Sequence, residues 1–336
     1  MSLRSRPLRP ATLAAVGVLM MGALSACGAG PDAEDRVSST SDGSYPVTVI
    51  NCGTEVTFER APERVVLLKS AAVPYLHALG VMDRVTARAG AYPEAYYDRA
   101  TLAELDEIPL LTDQMDSSGH LQISREVVIG QEPDLVLGEV DNLSRDSLDA
   151  VSIPLVEEPA LCATGGDTDP SFDDVSAQMK LYGAIFGREE QATRAITAME
   201  QRIEEVEAEV GPARQRTAAV LYPTVGGGTT YAYGTSSMAQ PQLTAAGFTN
   251  VFDDVDDRVF EVTLEELLGR DPDVLVLLHS DGDPQDVTEA VTGLPGAEQL
   301  TAVRNGDVMT QLFNYTEPAT PLAVEGLEHI VERFGS

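Results

Sequence analysis

The sequence predicts an α/β protein with two similar α/β lobes, joined by one long rigid α-helix and separated by a ligand cleft. Three observations lead to this prediction. A pattern of 14 residues occurs once in each half of the 336-residue chain, apolar strand-like runs alternate with short helical segments, and one central segment lacks both glycine and proline. Strands that alternate with helices are typical of parallel or mixed sheets, and this chain length suggests two domains.

The repeated pattern covers residues 124–137 and, 139 residues further on, residues 263–276. In each copy a hydroxyl residue, Ser124 or Thr263, can cap a short helix that carries a glutamate in its first turn. A glycine is then predicted to end the helix, and Pro-Asp to form the turn. The uninterrupted apolar run that follows predicts a strand buried on both faces.

Other segments of both halves fit the same plan. Strands are predicted at Arg64–Leu68 and Thr217–Tyr222, and glycine-terminated helices at Ala72–Leu79 and Pro241–Ala246. Between the halves, residues 188–210 carry an apolar stripe at three- and four-residue spacing, which predicts a helix of about 34 Å. We therefore place an N-terminal lobe at 47–187, an interlobe helix at 188–211 and a C-terminal lobe at 212–336.

The N-terminal 27 residues have the features of an export signal. Three arginines precede an apolar run at residues 11–23, which is too short for a comfortable membrane span. The sequence Leu-Ser-Ala-Cys that ends at Cys27 resembles a bacterial lipobox, so Cys27 is predicted to be lipidated, with palmitate among its acyl chains; an ordinary cleavage site is the alternative. Residues 28–46 then form a flexible tether. The protein is expected on the extracytoplasmic face of the cell membrane, held by its lipid anchor.

Charge and cysteine content narrow the classes further. The chain has 22 Lys and Arg against 54 Asp and Glu, a formal net charge of −32 that argues against nucleic acid as a partner. With Cys27 lipidated, Cys52 and Cys162 form an even pair in an oxidising compartment, which favours a disulfide between them. Two separate buried thiols are the alternative.

Motifs that would indicate an enzyme are missing from the sequence. The glycine-rich stretch at 226–230 has no lysine and is therefore not a phosphate-binding loop. The segment 234–238 lacks the second glycine of a nucleophile elbow. We expect a protein that is not an enzyme and has no resident cofactor.

Tyrosines are the strongest candidates for ligand contacts, because the chain has no tryptophan. Ligands of open α/β sheets bind outside the carboxyl ends of the strands, where tyrosine clusters of both lobes are predicted. Packing under loops is the alternative for some of them. The clusters are Tyr92, Tyr96 and Tyr97 in the first lobe, and Tyr222, Tyr231 and Tyr233 in the second. Further candidates at similar positions are Lys69, Ser70, Glu139, Asn142, His279, Asn314 and Tyr315.

Histidines offer a different kind of site. His77, His120 and His279 could together hold a bare zinc or manganese ion with a carboxylate. The alternative is that His77 packs in its helix and the other two are loop residues. We predict no metal site, and keep the bare-metal receptor as an open alternative.

The lipobox, the strand and helix at 64–80, and the paired Glu…Pro-Asp units resemble bacterial solute-binding proteins that supply ferric siderophores and cobalamin to ABC importers. The similarity extends from about residue 47 to the C-terminus. It implies a monomeric receptor that captures a Fe³⁺-siderophore chelate and delivers it to a permease dimer with its ATPase. Cobalamin or haem are alternative ligands within the same family.

The same resemblance assigns a role to one glutamate in each repeat. Glu126 and Glu265 match the family positions that pair with arginines of the permease subunits, whereas a structural role at the helix end needs no partner. The scarcity of cations at strand ends, where Lys69 has only Arg88 and Arg99 nearby, favours a neutral or cationic ferric hydroxamate over a trianionic chelate.

Overall fold

The computed structural model describes residues 45–116, 120–162, 169–210, 216–280 and 282–335. All of them belong to one compact unit, Asp35–Ser336. The predicted signal peptide, Cys27 and the tether up to residue 44 lie outside the described residues. Within these ranges, no helix has the length and apolar character needed to cross a membrane.

Strands and helices alternate through most of this unit. The strands are β1 (Val47–Asn51), β2 (Thr54–Phe58), β3 (Val65–Leu67), β4 (Val85–Arg88), β5 (Leu135–Leu137), β6 (Leu155–Val156), β7 (Arg216–Pro223), β8 (Thr230–Tyr233), β9 (Phe248–Asn250), β10 (Val259–Val262), β11 (Val274–His279) and β12 (Val308–Leu312). The α-helices are α1 (Val73–Leu79), α2 (Arg99–Asp106), α3 (Arg125–Ile129), α4 (Arg145–Asp149), α5 (Phe172–Phe186), α6 (Glu189–Val210), α7 (Ala239–Ala245), α8 (Leu264–Arg270), α9 (Pro284–Thr292), α10 (Thr301–Asn305) and α11 (Pro321–Phe334).

These strands form one hairpin and two larger sheets. β1 and β2 pair as the hairpin, and the first sheet is fully parallel in the order β4-β3-β5-β6. The second sheet has the order β10-β8-β7-β11-β12, with β9 parallel to β7. It is parallel across β7, β11 and β12, and antiparallel at β8 and β10. The α/β prediction is confirmed, and the second sheet is mixed.

The repeat has the predicted helix–turn–strand structure, with one correction. Ser124 and Thr263 each accept a backbone N–H at the start of α3 and α8. The predicted glycine stop is confirmed in the first copy, where α3 ends at Ile129 and Gly130 is the C-cap residue. It is wrong in the second copy, where α8 continues through Gly269 to Arg270 and its C-cap residue is Asp271, with a φ of 42°. Asp tolerates this left-handed conformation since its short side chain bonds locally, and Asp271 accepts bonds from the backbone and hydroxyl of Thr301.

The aspartate of each Pro-Asp pair has a structural role that the sequence pattern leaves unexplained. Asp134 accepts the backbone N–H of Arg64 at 2.8 Å, and Asp273 accepts that of Thr217 at 2.8 Å. Each carboxylate thereby fixes the start of the neighbouring parallel strand, β3 in the first sheet and β7 in the second. The repeat is a device for aligning two strands.

Helix α6 matches the predicted interlobe helix within two residues at its ends. It packs against α1 and α5 of the first half and against α7 and α11 of the second half. Its buried side chains form the predicted stripe, and Arg202 forms a two-bonded ion pair with Glu328 of α11. One buried apolar cluster includes residues of both halves, among them Leu76 and Ala323. The lobe limits 47–187 and 212–336 stay predictions, since the core is continuous between them.

The predicted disulfide between Cys52 and Cys162 is present, with Cα atoms 5.4 Å apart. It joins the turn of the β1–β2 hairpin to the segment after β6. Because the bond closes a loop of 110 residues, the chain-entropy model gives it about 4–5 kcal/mol of stability.

Candidate functional site

A cavity of about 670 Å³ lies between the carboxyl ends of the strands of both sheets. The first sheet contributes residues that follow β3, β4 and β5, which end at one edge because the strands are parallel. The second sheet contributes residues from the ends of β7, β11 and β12 and from β8 and β10. The size is in the range of small-molecule sites.

The side that belongs to the first sheet holds most of the charged residues of the cavity among apolar ones such as Leu68, Leu121 and Val140. We call its polar residues the polar wall: Lys69 and Ser70 after β3, Glu139 and Asp141 after β5, and His120. Gly138 has a φ of +96°, and a Cβ atom there would lie 2.9 Å from the Lys69 side chain. Any side chain at position 138 would therefore collide with Lys69, and only glycine leaves room for the lysine beside the end of β5.

Lys69 is held by a carboxylate that does not itself line the cavity. Its Nζ lies 2.5 Å from Oε2 of Glu157, whose side chain is 0% exposed. The same oxygen accepts the backbone N–H of Glu139 at 2.7 Å, and Oε1 accepts that of Glu158 at 2.7 Å. Glu157 thus neutralises the lysine and ties the ends of three strands together.

The neighbouring carboxyl group, that of Glu158, has a raised pKa. Burial raises the pKa of Glu158 to about 8, and the nearby Glu157 acts in the same direction. The hydroxyl of Tyr182 donates to Glu158 at 2.8 Å and partly opposes this rise. At neutral pH the Glu158 carboxyl is therefore mostly protonated.

The side that belongs to the second sheet is lined by rings, and we call it the aromatic wall. It consists of Tyr222, Tyr231, Tyr233 and Phe313, with Arg258 beside them. Tyr222 and Tyr231 are directly opposite in the antiparallel β7–β8 pair, which brings both side chains to one face. Tyr222 also packs edge-on against Phe313 with ring centroids 6.0 Å apart.

Arg258 is paired in the same manner as Lys69. Its Nη2 lies 2.6 Å from Oε2 of Glu317, whose side chain is 1% exposed and does not line the cavity. The other oxygen of Glu317 accepts the backbone N–H of Met238 at 2.6 Å. Each wall therefore contains one cation with a buried carboxylate behind it.

Hydrogen bonds join the two sides of the cavity. Asn314 donates from its side chain to Ser70 at 3.1 Å and from its backbone to the hydroxyl of Tyr96 at 2.9 Å. The buried hydroxyl of Tyr75 donates to the carbonyl of Ala319 at 2.9 Å. These bonds link segments more than 200 positions apart and help to fix the spacing of the two sides.

Five of the residues that the sequence singled out line this cavity: Lys69, Ser70, Tyr222, Tyr231 and Tyr233. Three of the further candidates, Glu139, Asn314 and Tyr96, also line it. The structure brings these eight side chains together from both halves. This is the arrangement expected if strand ends of two sheets face one another.

Five other predicted ligand residues do not line the cavity. The hydroxyl of Tyr92 donates to the backbone carbonyl of Ala89 at 3.1 Å, under a loop. Tyr97 packs against Tyr96, and Asn142 donates to the carbonyl of Ile123 at 2.6 Å.

His279 and Tyr315 likewise do not line the cavity. His279 is buried at the end of β11. Tyr315 packs against Tyr96 and His329 and donates to the carbonyl of Ala95. Their neighbours in sequence, Ser280 and Asn314, line the cavity instead.

Some lining residues escaped the sequence analysis. Arg258 and Val259 lie at the start of β10, where a rule based on strand ends does not look. Asp141 is adjacent to the predicted Asn142, and Phe313 adjoins the considered Asn314. Met115 lies in a loop with no recognisable pattern.

The three histidines considered for a metal ion are not assembled. His77 pairs with Glu104 at 2.6 Å, and His279 is at the end of β11. His120 instead lies 2.9 Å from Asp141 and 4.0 Å from Asp116. Ligand atoms of Asp116, His120 and Asp141 lie within 4.8 Å of one another. All three side chains are exposed, however, and three ligands are one fewer than a closed zinc site uses.

Glu126 and Glu265 occupy equivalent positions outside the cavity. Both are exposed in the first turns of α3 and α8. Neither forms an ion pair within the described ranges, whereas the adjacent Glu266 lies 3.6 Å from Arg270.

The chain matches the sequence model of the family described as "Periplasmic binding protein" over residues 65–312. A solved structure described as an ABC-type Fe³⁺-hydroxamate transport system, from Saccharomonospora viridis, is 56% identical in sequence, with a TM-score of 0.82. The match covers 87% of this chain and all of that one.

More distant relatives match this chain over most of its length. The Bacillus subtilis protein YvrC, described as an uncharacterized ABC transporter substrate-binding lipoprotein, is 22% identical over 92% of both chains. A cobalamin-binding protein of Halobacterium salinarum is 26% identical over 87% of this chain and 74% of its own. With its two facing α/β sheets, its cavity between strand ends and these matches, the chain belongs to the periplasmic binding protein family.

Proposed function

We propose that this chain is the substrate-binding lipoprotein of an ABC importer, which captures a ferric hydroxamate chelate outside the cell membrane and delivers it to a permease dimer with its ATPase. The observation that carries the ligand class is the charge pairing of the cavity. Both of its arginine or lysine side chains in the described residues, Lys69 and Arg258, are already neutralised by buried carboxylates.

This pairing disfavours a highly anionic chelate. A trianionic complex that leaves water needs cations that are free to compensate it. Lys69 and Arg258 could compensate it only by giving up Glu157 and Glu317, which would then be buried without a cation. A neutral or cationic hydroxamate complex has no such cost, and its amphipathic surface suits the tyrosines of the aromatic wall. The Fe³⁺-hydroxamate description of the Saccharomonospora protein supports the same class.

Cobalamin is the second candidate, because the Halobacterium relative is described as cobalamin-binding. Titration of tyrosine fluorescence tests both ligands, since the chain has no tryptophan. We expect submicromolar binding of a neutral ferric trihydroxamate and no comparable binding of a ferric tris-catecholate, cobalamin or haem. The iron-free hydroxamate serves as control. Tight binding of the tris-catecholate with none of the hydroxamate would contradict the proposal, and tight binding of cobalamin alone would favour the second candidate.

The binding protein itself is proposed to carry out no chemistry. The chelate should be recovered unchanged from the complex, and no group in the cavity is assigned a catalytic role. The family to which the chain belongs binds substrates for transporters, which agrees with this view. A hydrolysed chelator after incubation would overturn it.

The proposed anchor is the lipidated Cys27. Residues 1–27 are proposed to form the signal peptide with its lipobox, and residues 28–46 the tether. The description of the Bacillus relative as a lipoprotein supports it. Replacement of Cys27 by alanine should release the protein from membranes of cells that express it. Retention of the variant in the membrane fraction would exclude this anchor.

The proposed docking residues for the permease are Glu126 and Glu265, since each is exposed and without an ion pair in the described part of the chain. Exposed charges guide encounter and register, whereas affinity for the ligand is decided in the cavity. Glu126→Arg with Glu265→Arg should therefore stop uptake in cells and leave ligand affinity unchanged. Normal transport would refute docking, and a loss of ligand binding would assign these carboxylates to the binding site.

The matched control for this experiment removes one exposed glutamate from each half at other places. Glu107 ends α2 and Glu289 lies in α9, and both are exposed. The variant with Glu107→Arg and Glu289→Arg makes the same change in net charge and should transport normally. A defect in the control as large as in the docking variant would show that net charge alone is responsible.

A further inference from the structure

The charges around the cavity do not balance. Two cations in the described residues, Lys69 and Arg258, line it, and each is matched by the carboxylate behind it, Glu157 or Glu317. Both carboxylates are at most 1% exposed, so they act on their cations at short range with little screening by water. The positive charge of each wall is therefore cancelled before a ligand arrives.

Two further carboxylates line the cavity on the polar wall. Glu139 accepts the backbone N–H of Arg145 at 3.3 Å, which is a weak interaction. Asp141 lies 2.9 Å from Nδ1 of His120, and its side chain is 68% exposed. Neither carboxylate has an arginine or lysine partner among the ion pairs of the described residues, in contrast to Glu157 and Glu317.

The balance of the cavity follows from these pairings. Two cations and four carboxylates leave two negative charges, or one if His120 is protonated. Glu158 adds little at neutral pH, because burial raises its pKa to about 8. The formal charge of −32 on the whole chain adds a long-range attraction for cations.

From this balance we propose that the cavity selects ferric chelates that carry a positively charged group, and that Glu139 and Asp141 are the residues that receive it. This inference rests on the proposed function of the cavity as a chelate site. An ammonium group on the chelate donates charge-assisted hydrogen bonds to these carboxylates, while the aromatic wall covers the rest of the complex. An anionic group in the same place meets like charges with no free cation.

A pair of ligands that differ in one charge tests the proposal. The first probe is a linear ferric trihydroxamate with one free primary ammonium group, and the second is the same chelate after N-acetylation. We expect the wild-type protein to bind the ammonium form about tenfold more tightly than the acetylated form. In a variant with Glu139→Gln and Asp141→Asn, this preference should disappear, so that the two forms bind with equal affinity.

The control variant carries Asp106→Asn and Glu107→Gln, which remove the same two types of acid from exposed positions of the first half. It should keep the full preference for the ammonium form. Equal binding of both chelates by the wild-type protein would overturn the inference and leave the proposed function standing, even if the variant failed to fold. A preference that survives in the double variant would overturn the assignment to Glu139 and Asp141. If neither chelate binds, the proposed function itself is wrong.

Discussion

The polar wall places its lysine and carboxylates after two parallel strands, β3 and β5, whereas the aromatic wall takes three of its four rings from an antiparallel pair, β7 and β8. Both walls nevertheless rest on the same helix–turn–strand unit, in which an aspartate aligns β3 with β5 or β7 with β11. The comparison shows that the repeat determines the position of each wall in the fold, because it aligns the strands next to that wall. The chemistry of each wall comes from other residues, which follow the strands in the polar wall and lie mostly within β7 and β8 in the aromatic wall.

We expect removal of the disulfide to produce the largest difference in stability between the two halves. Cys52→Ser with Cys162→Ser should lower the free energy of unfolding by about 4–5 kcal/mol, because the unfolded chain gains the freedom of the opened loop. Asn51, next to Cys52, exchanges hydrogen bonds of 2.8 and 2.9 Å with the backbone of Glu157, so the polar wall should loosen first.

Urea denaturation measures the total loss, and hydrogen exchange locates it. Amides of β1 and β6 should exchange faster in the double-serine variant, while those of β11 stay protected. A loss below about 1 kcal/mol, or equal loosening of both sheets, would contradict a disulfide that acts through the polar wall.

The next largest effect on stability is expected when one of the two cation–carboxylate pairs, Lys69–Glu157 or Arg258–Glu317, loses its cation. Arg258→Met should cost about 3 kcal/mol, because Glu317 is left buried with one backbone donor, Met238. Lys69→Met should cost less, since Glu157 keeps the N–H groups of two residues, one on each oxygen. Thermal unfolding of both variants tests the ranking, and an equal or larger loss for Lys69→Met would refute it.

Glu158 and Glu317 are both buried, but Glu158 has no cation bonded to it, and burial raises its pKa to about 8, so Glu158 should make stability depend on pH. The unfolded carboxyl titrates near its ordinary value of 4.5, and the folded one near 8. Between these values the folded state holds a proton that the unfolded state has lost, so the contribution of Glu158 to stability falls as pH rises.

The change Glu158→Gln should remove this slope, which is at most about 1.4 kcal/mol per pH unit. Urea midpoints of wild type and variant at pH 5, 6, 7 and 8 measure it. Parallel curves for the two proteins would show that Glu158 has an ordinary pKa.

The smallest expected effect concerns the aromatic wall. Tyr231 is 37% exposed and lines the cavity, so Tyr231→Ala should raise the dissociation constant for a ferric trihydroxamate about tenfold without loss of stability. Tyr92→Phe is the control, because Tyr92 does not line the cavity. An effect on affinity from Tyr92→Phe, with none from Tyr231→Ala, would show that the ligand lies elsewhere.

The sequence predicted the fold better than the site for a physical reason. Caps, Pro-Asp turns and apolar runs are local signals, and they correctly predicted α3, α8, β5 and β11. The glycine stop is correct for α3, which ends before Gly130, but wrong for α8, which runs through Gly269 and ends before a left-handed Asp271. A local signal predicts that a turn occurs better than it predicts which residue makes it.

At the site, the sequence correctly indicated residues that follow parallel strands, but it did not indicate which residues of longer loops line the cavity. Lys69 and Ser70 follow β3 directly, so their position determines where they point. Tyr92 lies in a longer loop, where the direction of a side chain depends on packing that no pattern reports. The pairing of Lys69 with Glu157 joins positions 88 residues apart and became visible only in the fold.

The central claim is that one intact chelate lies between the polar and the aromatic wall. Crystals grown with a ferric trihydroxamate and measured at the iron absorption edge test it most directly. The account predicts one iron peak inside the cavity, surrounded by chelator oxygens and by no protein ligand. An iron peak coordinated by Asp116, His120 and Asp141, or one outside the cavity, would contradict the claim.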